Sequence, residues 1–277
     1  MVDIKKKCDV WYYRKKQRKK KVIFMKSLLE INDVSKHFFA IKALNKVNLD
    51  LKEGEILGLI GPNGSGKTTL FNCITGFYMP DGGKIYFEEE EITGLPPHEI
   101  ALKGMVRTFQ LVHVFRKMTV IENMIMALQQ FQDTSVINTL FRPRYIEKLE
   151  EEAIEKAEKI LDFLGILFLK DNYASELSYG QQKLLEIGMS LMPSPKVLML
   201  DEPTAAVNPT MINKITQIIK KLNSEKNQTF FVIEHNIDFI MDLCNRVVVL
   251  DHGEKIAEGK PEKIKEDPKV IEAYFGV

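Results

Sequence analysis

The 277-residue chain is poor in cysteine and tryptophan and has no long apolar run. Its three cysteines (Cys8, Cys73 and Cys244) are scattered and show no metal-ligand spacing, which excludes a disulfide scaffold and favours a reducing compartment. No window reaches 18 consecutive apolar residues, so no transmembrane helix is expected. With 45% hydrophobic and 28% charged residues, the composition is that of a globular protein rather than a disordered or collagen-like one.

Positive charge is concentrated at the N-terminus. Residues 1–24 contain ten lysines and arginines against two aspartates, whereas the other 253 residues contain 29 basic and 36 acidic residues. This N-terminal stretch lacks the central apolar segment and the cleavage site of a signal peptide. We interpret residues 1–26 as a basic extension, either a disordered arm or a segment upstream of a start at Met25. A contact with anionic lipid or RNA is the alternative. The acidic body does not favour a nucleic-acid binder.

The remaining pattern predicts an α/β protein. Residues 28–60 read as short strands broken by turns, and the central block 111–180 reads as helical. After residue 178, helices and strands alternate, which is typical of a mostly parallel sheet covered by helices. Helix starts are predicted at three capping residues, namely Thr119, Ser178 and Asn208.

A glycine-rich loop follows a predicted strand and opens a predicted helix. It matches the pattern G-x-x-x-x-G-K-[ST] through Gly61, Pro62, Asn63, Gly64, Ser65, Gly66, Lys67, Thr68 and Thr69. Glycines let backbone N–H groups converge on a phosphate, and the helix dipole adds to the attraction. In this pattern the lysine reaches the β- and γ-phosphates and the next hydroxyl ligates Mg²⁺. The loop predicts a nucleoside triphosphate site, which kinases, GTPases and motor ATPases share.

Two carboxylates end another predicted strand. The apolar run Val197–Leu200 leads directly into Asp201 and Glu202. Ligands of open α/β sheets bind at the carboxyl ends of the strands, so we expect both acids near the phosphate loop. Adjacent strand residues point to opposite sides, which suggests one role for each acid. We predict that Asp201 orients the metal ion and that Glu202 polarises an attacking water.

The order of the remaining motifs resembles that of ATP-binding cassette (ABC) ATPases over residues 28–277. A segment similar to their signature motif precedes a helix and consists of Ser178, Tyr179, Gly180 and Gln181, with tyrosine where glycine is commonest. Gln110 resembles the family's Q-loop glutamine. His235, 33 residues beyond Glu202, resembles the switch histidine. Phe38, 29 residues before Lys67, stands where the family places an aromatic ring under the adenine.

This resemblance implies a P-loop NTPase fold of ABC type, with a mostly parallel core sheet, an antiparallel β subdomain and an inserted α-helical lobe. It divides residues 27–277 into a nucleotide-binding core, 27–110 and 181–277, and a helical signature lobe, 111–180. The cofactors implied are ATP and Mg²⁺. The roles implied are phosphate binding for Lys67, general base for Glu202, γ-phosphate contacts for His235 and Gln110, and a metal site at Thr68, Gln110 and Asp201.

Within the family, several segments resemble the ATP-binding subunits of high-affinity branched-chain amino acid importers (LivG-type): 63–78, 107–110, 177–182, 233–236 and 256–275. The segment 204–209 resembles the D-loop, with Asn208 where many cassettes have aspartate. The partners implied are two membrane-spanning permease subunits, a second cassette or a second copy, and indirectly an extracytoplasmic solute-binding protein. No nucleic acid partner is expected. The location implied is the cytoplasmic face of the cell membrane, with the apolar segment Leu111–Phe115 as a docking patch.

Other functions share these motifs. An ABC ATPase of another transporter class, for another solute or for lipopolysaccharide export, would carry the same catalytic residues. A soluble cassette acting on ribosomes or DNA usually has two cassettes or a coiled-coil insertion, and neither is visible in the sequence. A small-molecule kinase is disfavoured by the signature segment and by His235.

Overall fold

The computed structural model describes residues 27–108, 112–129 and 143–275. The basic extension, the predicted Q-loop residue Gln110 and the patch residue Leu111 lie outside the described residues. Within the three described ranges, no helix combines the length and the apolar character that a membrane crossing needs.

The described strands fall into two sheets and are numbered here in chain order. They are β1 (Ser27–Phe38), β2 (Ile41–Lys52), β3 (Ile56–Ile60), β4 (Gly82–Phe87), β5 (Glu90–Glu91), β6 (Met105–Arg107), β7 (Val197–Asp201), β8 (Thr229–Ile233), β9 (Arg246–Asp251) and β10 (Glu254–Gly259). The helices are α1 (Lys67–Ile74), α2 (Pro97–Leu102), α3 (Val120–Gln129), α4 (Pro143–Phe163), α5 (Tyr179–Leu191), α6 (Pro209–Lys226), α7 (Ile237–Leu243), α8 (Pro261–Lys265) and α9 (Pro268–Phe275). Short 3-10 turns occupy Leu167–Leu169 and Ala174–Glu176.

The larger sheet has the strand order β10-β9-β3-β8-β7-β6. All neighbouring pairs are parallel except β10 with β9. The smaller sheet, in the order β2-β1-β4-β5, is antiparallel throughout. This confirms the predicted architecture of a mostly parallel core sheet with a separate antiparallel sheet.

The parallel strands are buried on both faces. Every residue of β3, β7 and β8 is buried. Alternate residues enter two different cores: Ile56 and Ile60 face the helices of the C-terminal half, whereas Leu57 and Leu59 face α1 and the antiparallel sheet. Side chains alternate along a strand, so a continuous apolar run fills both layers at once. All carboxyl ends of the parallel strands then lie at one edge of the sheet.

The helix starts predicted from the capping residues Thr119, Ser178 and Asn208 are confirmed. Thr119 and Glu122 exchange side-chain and backbone hydrogen bonds of 3.3 and 2.7 Å ahead of α3. Ser178 forms the equivalent capping box with Gln181 ahead of α5. Asn208 accepts from the N–H of Met211, and Pro209 occupies the first turn of α6. These caps satisfy N–H groups that have no partner within the helix, so short sequence patterns suffice to place them.

The region before the phosphate loop differs from expectation. In place of several short strands, the chain forms two strands of 12 residues each, β1 and β2. Their pairing register shifts between Ile31 and Val34 and again before Lys36, and Asp33 has a φ of 52°. Such bulges add unpaired residues to a strand and break its alternation, so the pattern resembles interrupted strands.

Candidate active site

The phosphate loop connects the end of β3 to α1, as predicted. Gly66 has a φ of 102° and lies against β2, where an added Cβ would come within 2.5 Å of the Ala43 carbonyl oxygen. Only glycine fits both constraints without strain. The first hydrogen bond of α1 runs from the Leu70 N–H to the Gly66 oxygen, 2.9 Å. The N–H groups of Lys67, Thr68 and Thr69 precede that bond and point out of the helix N-terminus, which suits an anion.

The Lys67 side chain folds back over the loop that precedes it. Its Nζ donates to the carbonyl oxygens of Gly61 at 2.8 Å and Pro62 at 2.9 Å, and lies 3.3 Å from the Ser65 Oγ. Burial lowers the pKa of Lys67 below its usual value, while the nearby carboxylates of Glu202 and Asp201 act in the opposite direction. The Lys67 ammonium therefore lies inside the loop predicted to bind phosphate, within the electrostatic influence of both predicted acidic residues.

Asp201 ends β7 at the edge of the sheet next to the phosphate loop. Its Oδ2 accepts a hydrogen bond of 2.6 Å from Nη2 of Arg107, and each side chain is only 7% exposed. Arg107 ends the neighbouring strand β6 and also donates to Asn72 Oδ1 of α1 at 2.7 Å. The guanidinium therefore links the predicted metal-orienting carboxylate to the helix that begins at the phosphate loop.

Glu202 departs from the strand direction immediately after Asp201. Its φ of 49° turns the chain, and its N–H donates to the Ile233 oxygen of β8 at 2.9 Å. Its Oε1 lies 3.0 Å from Nε2 of His235, which follows β8. The predicted general base and the predicted switch histidine are therefore in direct contact, although they are 33 positions apart in the chain.

A cleft of about 410 Å³ brings these groups together. Its lining comprises Ile41, Lys42, Ala43, Asn63, Gly64, Gly66, Lys67, Thr68, Thr69, Glu202, His235 and His252. The phosphate loop, the second acid of the strand end and the histidine thus share one cavity. His252, whose side chain is 95% exposed, was missed because an isolated histidine in a turn carries no sequence signal.

Two adjacent aromatics lie at the turn between β1 and β2. The ring of Phe38 packs edge-on against Tyr78, with centroids 5.4 Å apart, and the Lys36 ammonium lies 5.6 Å from its centroid. Phe39 has a φ of 54° and a fully exposed side chain, two residues before Ile41 of the cleft lining. Phe39 is therefore a second candidate, beside the predicted Phe38, for the aromatic ring that supports the adenine.

The signature segment lies away from this cleft. Among the described residues that line the cleft, none comes from Ser178–Gln181. Tyr179 is 38% exposed, and an added Cβ at Gly180 would lie 2.8 Å from Cγ of Met211 in α6. The start of α5 therefore adjoins the start of α6, next to Asn208. One chain brings the phosphate loop, Glu202 and His235 together but leaves the signature elsewhere on its surface.

The sequence also contains a buried carboxylate that motif reasoning passed over. Glu234 is 3% exposed and lies between Ile233 and His235, within the segment 233–236 that resembles the branched-chain importers. Arg107 was passed over in the same way. A charged residue at the end of an apolar strand or directly after it is the signal that could have found them, because buried charges require partners.

The geometry defines a nucleoside triphosphatase of the P-loop class. Residues 44–205 match the family model described as ABC transporter, and residues 254–277 match the one described as branched-chain amino acid ATP-binding cassette transporter. The chain therefore belongs to the ABC transporter family, and it is an ATP-binding cassette that hydrolyses ATP.

Similar proteins include the high-affinity branched-chain amino acid transport ATP-binding protein BraF of Pseudomonas aeruginosa, 43% identical over 249 residues, which are 90% of this chain and 98% of BraF. The Escherichia coli protein of that description, LivG, is 42% identical over 90% of this chain and 98% of its own length.

Solved structures of ATP-binding cassettes have a similar fold. The ADP conformation of an ATP-binding cassette of an ABC transporter has 41% identity and a TM-score of 0.79, covering 91% of this chain and all of that one. A dimeric post-hydrolysis cassette bound to ADP and Pi has 27% identity and a TM-score of 0.71, covering 84% and 98% of the two chains.

Proposed function

We propose that this protein is the ATP-hydrolysing subunit of an importer for branched-chain amino acids. The contact between Glu202 and His235 at the mouth of the phosphate-loop cleft carries the catalytic part of the proposal. The match of residues 254–277 and the names of the similar proteins support the cargo. The ATPase does not touch the cargo, so the cargo assignment rests on that similarity.

The phosphate loop and Lys67 would bind the β- and γ-phosphates. The N–H groups at the start of α1 and the backbone of residues 61–66 form the cradle, and the Lys67 ammonium already lies within it. Phosphoryl transfer requires charge neutralisation and an in-line nucleophile more than covalent chemistry. The Lys67 ammonium and these N–H groups would supply the charge neutralisation.

The oxygen donors of the site fit a magnesium ion. Thr68 is exposed in the cleft, and Asp201 ends β7 directly before Glu202, which also lines the cleft. Hydroxyl and carboxylate oxygens are the ligands that Mg²⁺ prefers. A bound Mg²⁺ would neutralise the developing charge on the phosphate oxygens. Thr68 and Asp201 would hold it, with Gln110, which lies outside the described residues, as the third predicted ligand.

Glu202 would act as the general base. Its carboxylate takes a proton from water as the water oxygen attacks the γ-phosphorus, and the bond from that phosphorus to the bridging oxygen of ADP breaks. His235, 3.0 Å from Glu202, orients the carboxylate and contacts the γ-phosphate. A general base placed in this way contributes about 10²–10⁴-fold to a rate.

The signature residues would complete the site of a partner cassette, which is either a second copy or a related subunit. Ser178 caps α5 by accepting a hydrogen bond from the Gln181 N–H. The N–H groups of Tyr179 and Gly180, in the same first turn, have no partner within the helix, and a helix N-terminus of this kind attracts phosphate. Asn208 begins α6 next to it. We propose a head-to-tail dimer that closes over two ATP molecules, with these residues at the γ-phosphate bound by the partner.

Two membrane-spanning permease subunits would dock beside β6 and α3. A groove of about 430 Å³ lies there, and its lining includes Phe77, His98, His113 and Phe115. Phe77 and Phe115 are each 49% exposed, so apolar surface is open to a partner. His113 and Phe115 come from the predicted docking patch. We propose that the protein lies at the cytoplasmic face of the membrane. The helical lobe 111–180 would move relative to the nucleotide-binding core, and a solute-binding protein would contact only the permeases.

The catalytic proposal is tested by phosphate release from ATP and Mg²⁺ with the full-length chain and its Glu202→Gln variant. We expect the variant to keep nucleotide binding and to lose about 10²-fold or more of the rate, because its general base is gone. Glu91→Gln is the matched control, since Glu91 pairs with Lys84 on the antiparallel sheet. Normal hydrolysis by Glu202→Gln would remove Glu202 from the mechanism.

The transport proposal is tested by tagging Glu202→Gln at its C-terminus and isolating it with ATP and Mg²⁺ from gently solubilised membranes. We expect mass spectrometry to find two polytopic membrane proteins and a second cassette, and the reconstituted assembly to take up labelled leucine. Recovery of a soluble self-dimer alone, or of ribosomal proteins, would contradict the transporter assignment. Uptake of a different solute would leave the ATPase role intact and replace the cargo.

A further inference from the structure

A single buried carboxylate joins the two chain segments that hold the proposed catalytic pair. Oε1 of Glu234 accepts hydrogen bonds from the Thr204 N–H at 2.8 Å and the Thr204 Oγ1 at 2.5 Å. Its Oε2 accepts from the N–H groups of His235 at 2.9 Å and Asn236 at 3.2 Å. Each oxygen therefore serves a different segment.

These partners lie next to the reacting groups in the chain. Thr204 is two residues beyond Glu202, and the His235 N–H belongs to the proposed switch residue itself. The N–H of Glu202 donates to the Ile233 oxygen, which forms a second tie between the same two segments. The segments that carry Glu202 and His235, whose Oε1 and Nε2 lie 3.0 Å apart, are therefore tied together both by this backbone bond and by the Glu234 carboxylate.

We propose that Glu234 is a positioning residue for ATP hydrolysis. It holds the turn after Glu202 and the turn at His235 in one geometry, and through Thr204 it connects this pair to the segment leading to Asn208. The inference rests on the proposed roles of Glu202 and His235. Glu234 itself is not among the residues that line the cleft, so it acts through its two neighbours.

A carboxylate suits this task better than any other side chain of its size. It presents acceptor sites on both oxygens, and all four contacts bring donors. Hydrogen bonds to a charged acceptor are shorter and stronger than neutral ones. Glutamine keeps the shape but turns one end into a donor, which then faces either Thr204 or the two N–H groups. One of the two segments must move.

The test compares Glu234→Gln with Glu234→Asp, Thr204→Val and a matched control in the full-length chain. The control is Glu55→Gln, because Glu55 is also a buried carboxylate, bonded to Arg246 and the Lys52 N–H, at the opposite end of the parallel strands. The readouts are kcat and KM for ATP, the dissociation constant of a non-hydrolysable ATP analogue, and the urea midpoint of unfolding.

For Glu234→Gln we expect kcat to fall by about tenfold or more with analogue affinity changed less than about twofold, since misplacement of catalytic groups by 1 Å reduces rates by about 10²-fold. Glu234→Asp should recover part of the rate, because it keeps both acceptors. Thr204→Val, which removes one donor of four, should show a smaller fall in kcat and reports on the same link if Glu234→Gln does not fold. Glu55→Gln should lower the midpoint without lowering kcat.

Three outcomes would overturn the inference. They are an unchanged kcat in both Glu234→Gln and Thr204→Val, an equal fall of kcat in Glu55→Gln, or a loss of analogue affinity that accounts for the whole fall in rate.

The wild type and Glu202→Gln, assayed beside these variants, separate this inference from the catalytic proposal on which it rests. If the wild type releases no phosphate, or Glu202→Gln is as active as the wild type, the catalytic proposal fails and the inference fails with it. If those two proteins behave as proposed and both Glu234→Gln and Thr204→Val keep the wild-type kcat, only the positioning role is lost.

Discussion

Arg107 and Asp201 form a buried ion pair across two neighbouring parallel strands, with Nη2 and Oδ2 2.6 Å apart. The guanidinium also lies 5.5 Å from the ring centroid of Phe71 in α1. The carboxylate predicted to orient the metal ion is therefore held from the side of the core, where water does not compete for it. Its position depends on a residue of β6, the strand that leads toward Gln110.

Replacing Arg107 with methionine should destabilise the protein strongly. Removing one partner of a buried ion pair leaves the other without its hydrogen-bonded countercharge, which costs about 3–5 kcal/mol. The free energy of unfolding in urea is the measurement, and Arg116→Met, at an exposed position, is the control. Combining Arg107→Met with Asp201→Asn should destabilise less than the sum of the two single variants, because no lone charge remains. A strictly additive result would mean that the two groups do not stabilise one another.

The exposed aromatics at the β1–β2 turn can be separated by alanine substitution. Stacking of an aromatic ring on a base contributes about 1–3 kcal/mol. Because Phe39 is fully exposed whereas Phe38 packs on Tyr78, we expect Phe39→Ala to weaken ATP binding more than Phe38→Ala. Phe38→Ala should lower the free energy of unfolding instead. Titration with a fluorescent ATP analogue decides between them. A larger loss of affinity for Phe38→Ala would support the sequence-based assignment.

Alanine variants of the two capping-box residues, Thr119 and Ser178, form a matched pair that tests the proposed dimer. Loss of an N-cap hydroxyl costs about 1 kcal/mol of stability. Thr119→Ala and Ser178→Ala should therefore destabilise the chain similarly in urea. Only Ser178→Ala should also slow ATP hydrolysis, because only Ser178 belongs to the site proposed for the partner's γ-phosphate. Equal ATPase rates for the two variants would argue against a role for Ser178 across a dimer.

The Cys73 thiol should make the free energy of unfolding depend on pH above about pH 9. Burial raises the pKa of its thiol from 9.0 to about 11. The unfolded thiol ionises first as pH rises, so the stabilisation due to burial is complete below pH 9.0 and is lost as pH approaches 11. Below pH 9, alkylation of Cys73 by iodoacetamide should be far slower in the folded protein than in urea, as followed by peptide mass spectrometry. Cys73→Ala should flatten the fall in stability between pH 9 and pH 11, whereas equal labelling rates in the two states would contradict the burial.

Much of this molecule could be predicted because its signals are local. The phosphate loop, the capping residues Thr119, Ser178 and Asn208, and the apolar strand before Asp201 are each specified within a few residues. The parallel sheet followed from the alternation of helices and strands. The length of β1 and β2 could not be predicted, since bulges interrupt their alternation and pairing with a distant β4 sustains them.

The amino-acid sequence by itself determined the class of the protein, because phosphate binding depends on backbone chemistry that a short run of residues encodes. It also supplied Glu202 and His235 as separate candidates. The tertiary structure alone decided which groups meet: Arg107 with Asp201 across 94 positions, and Glu234 with Thr204 across 30. The physical reason is that a buried charge takes its partners from neighbouring strands, and strand order is set by packing of the whole sheet rather than by proximity along the chain.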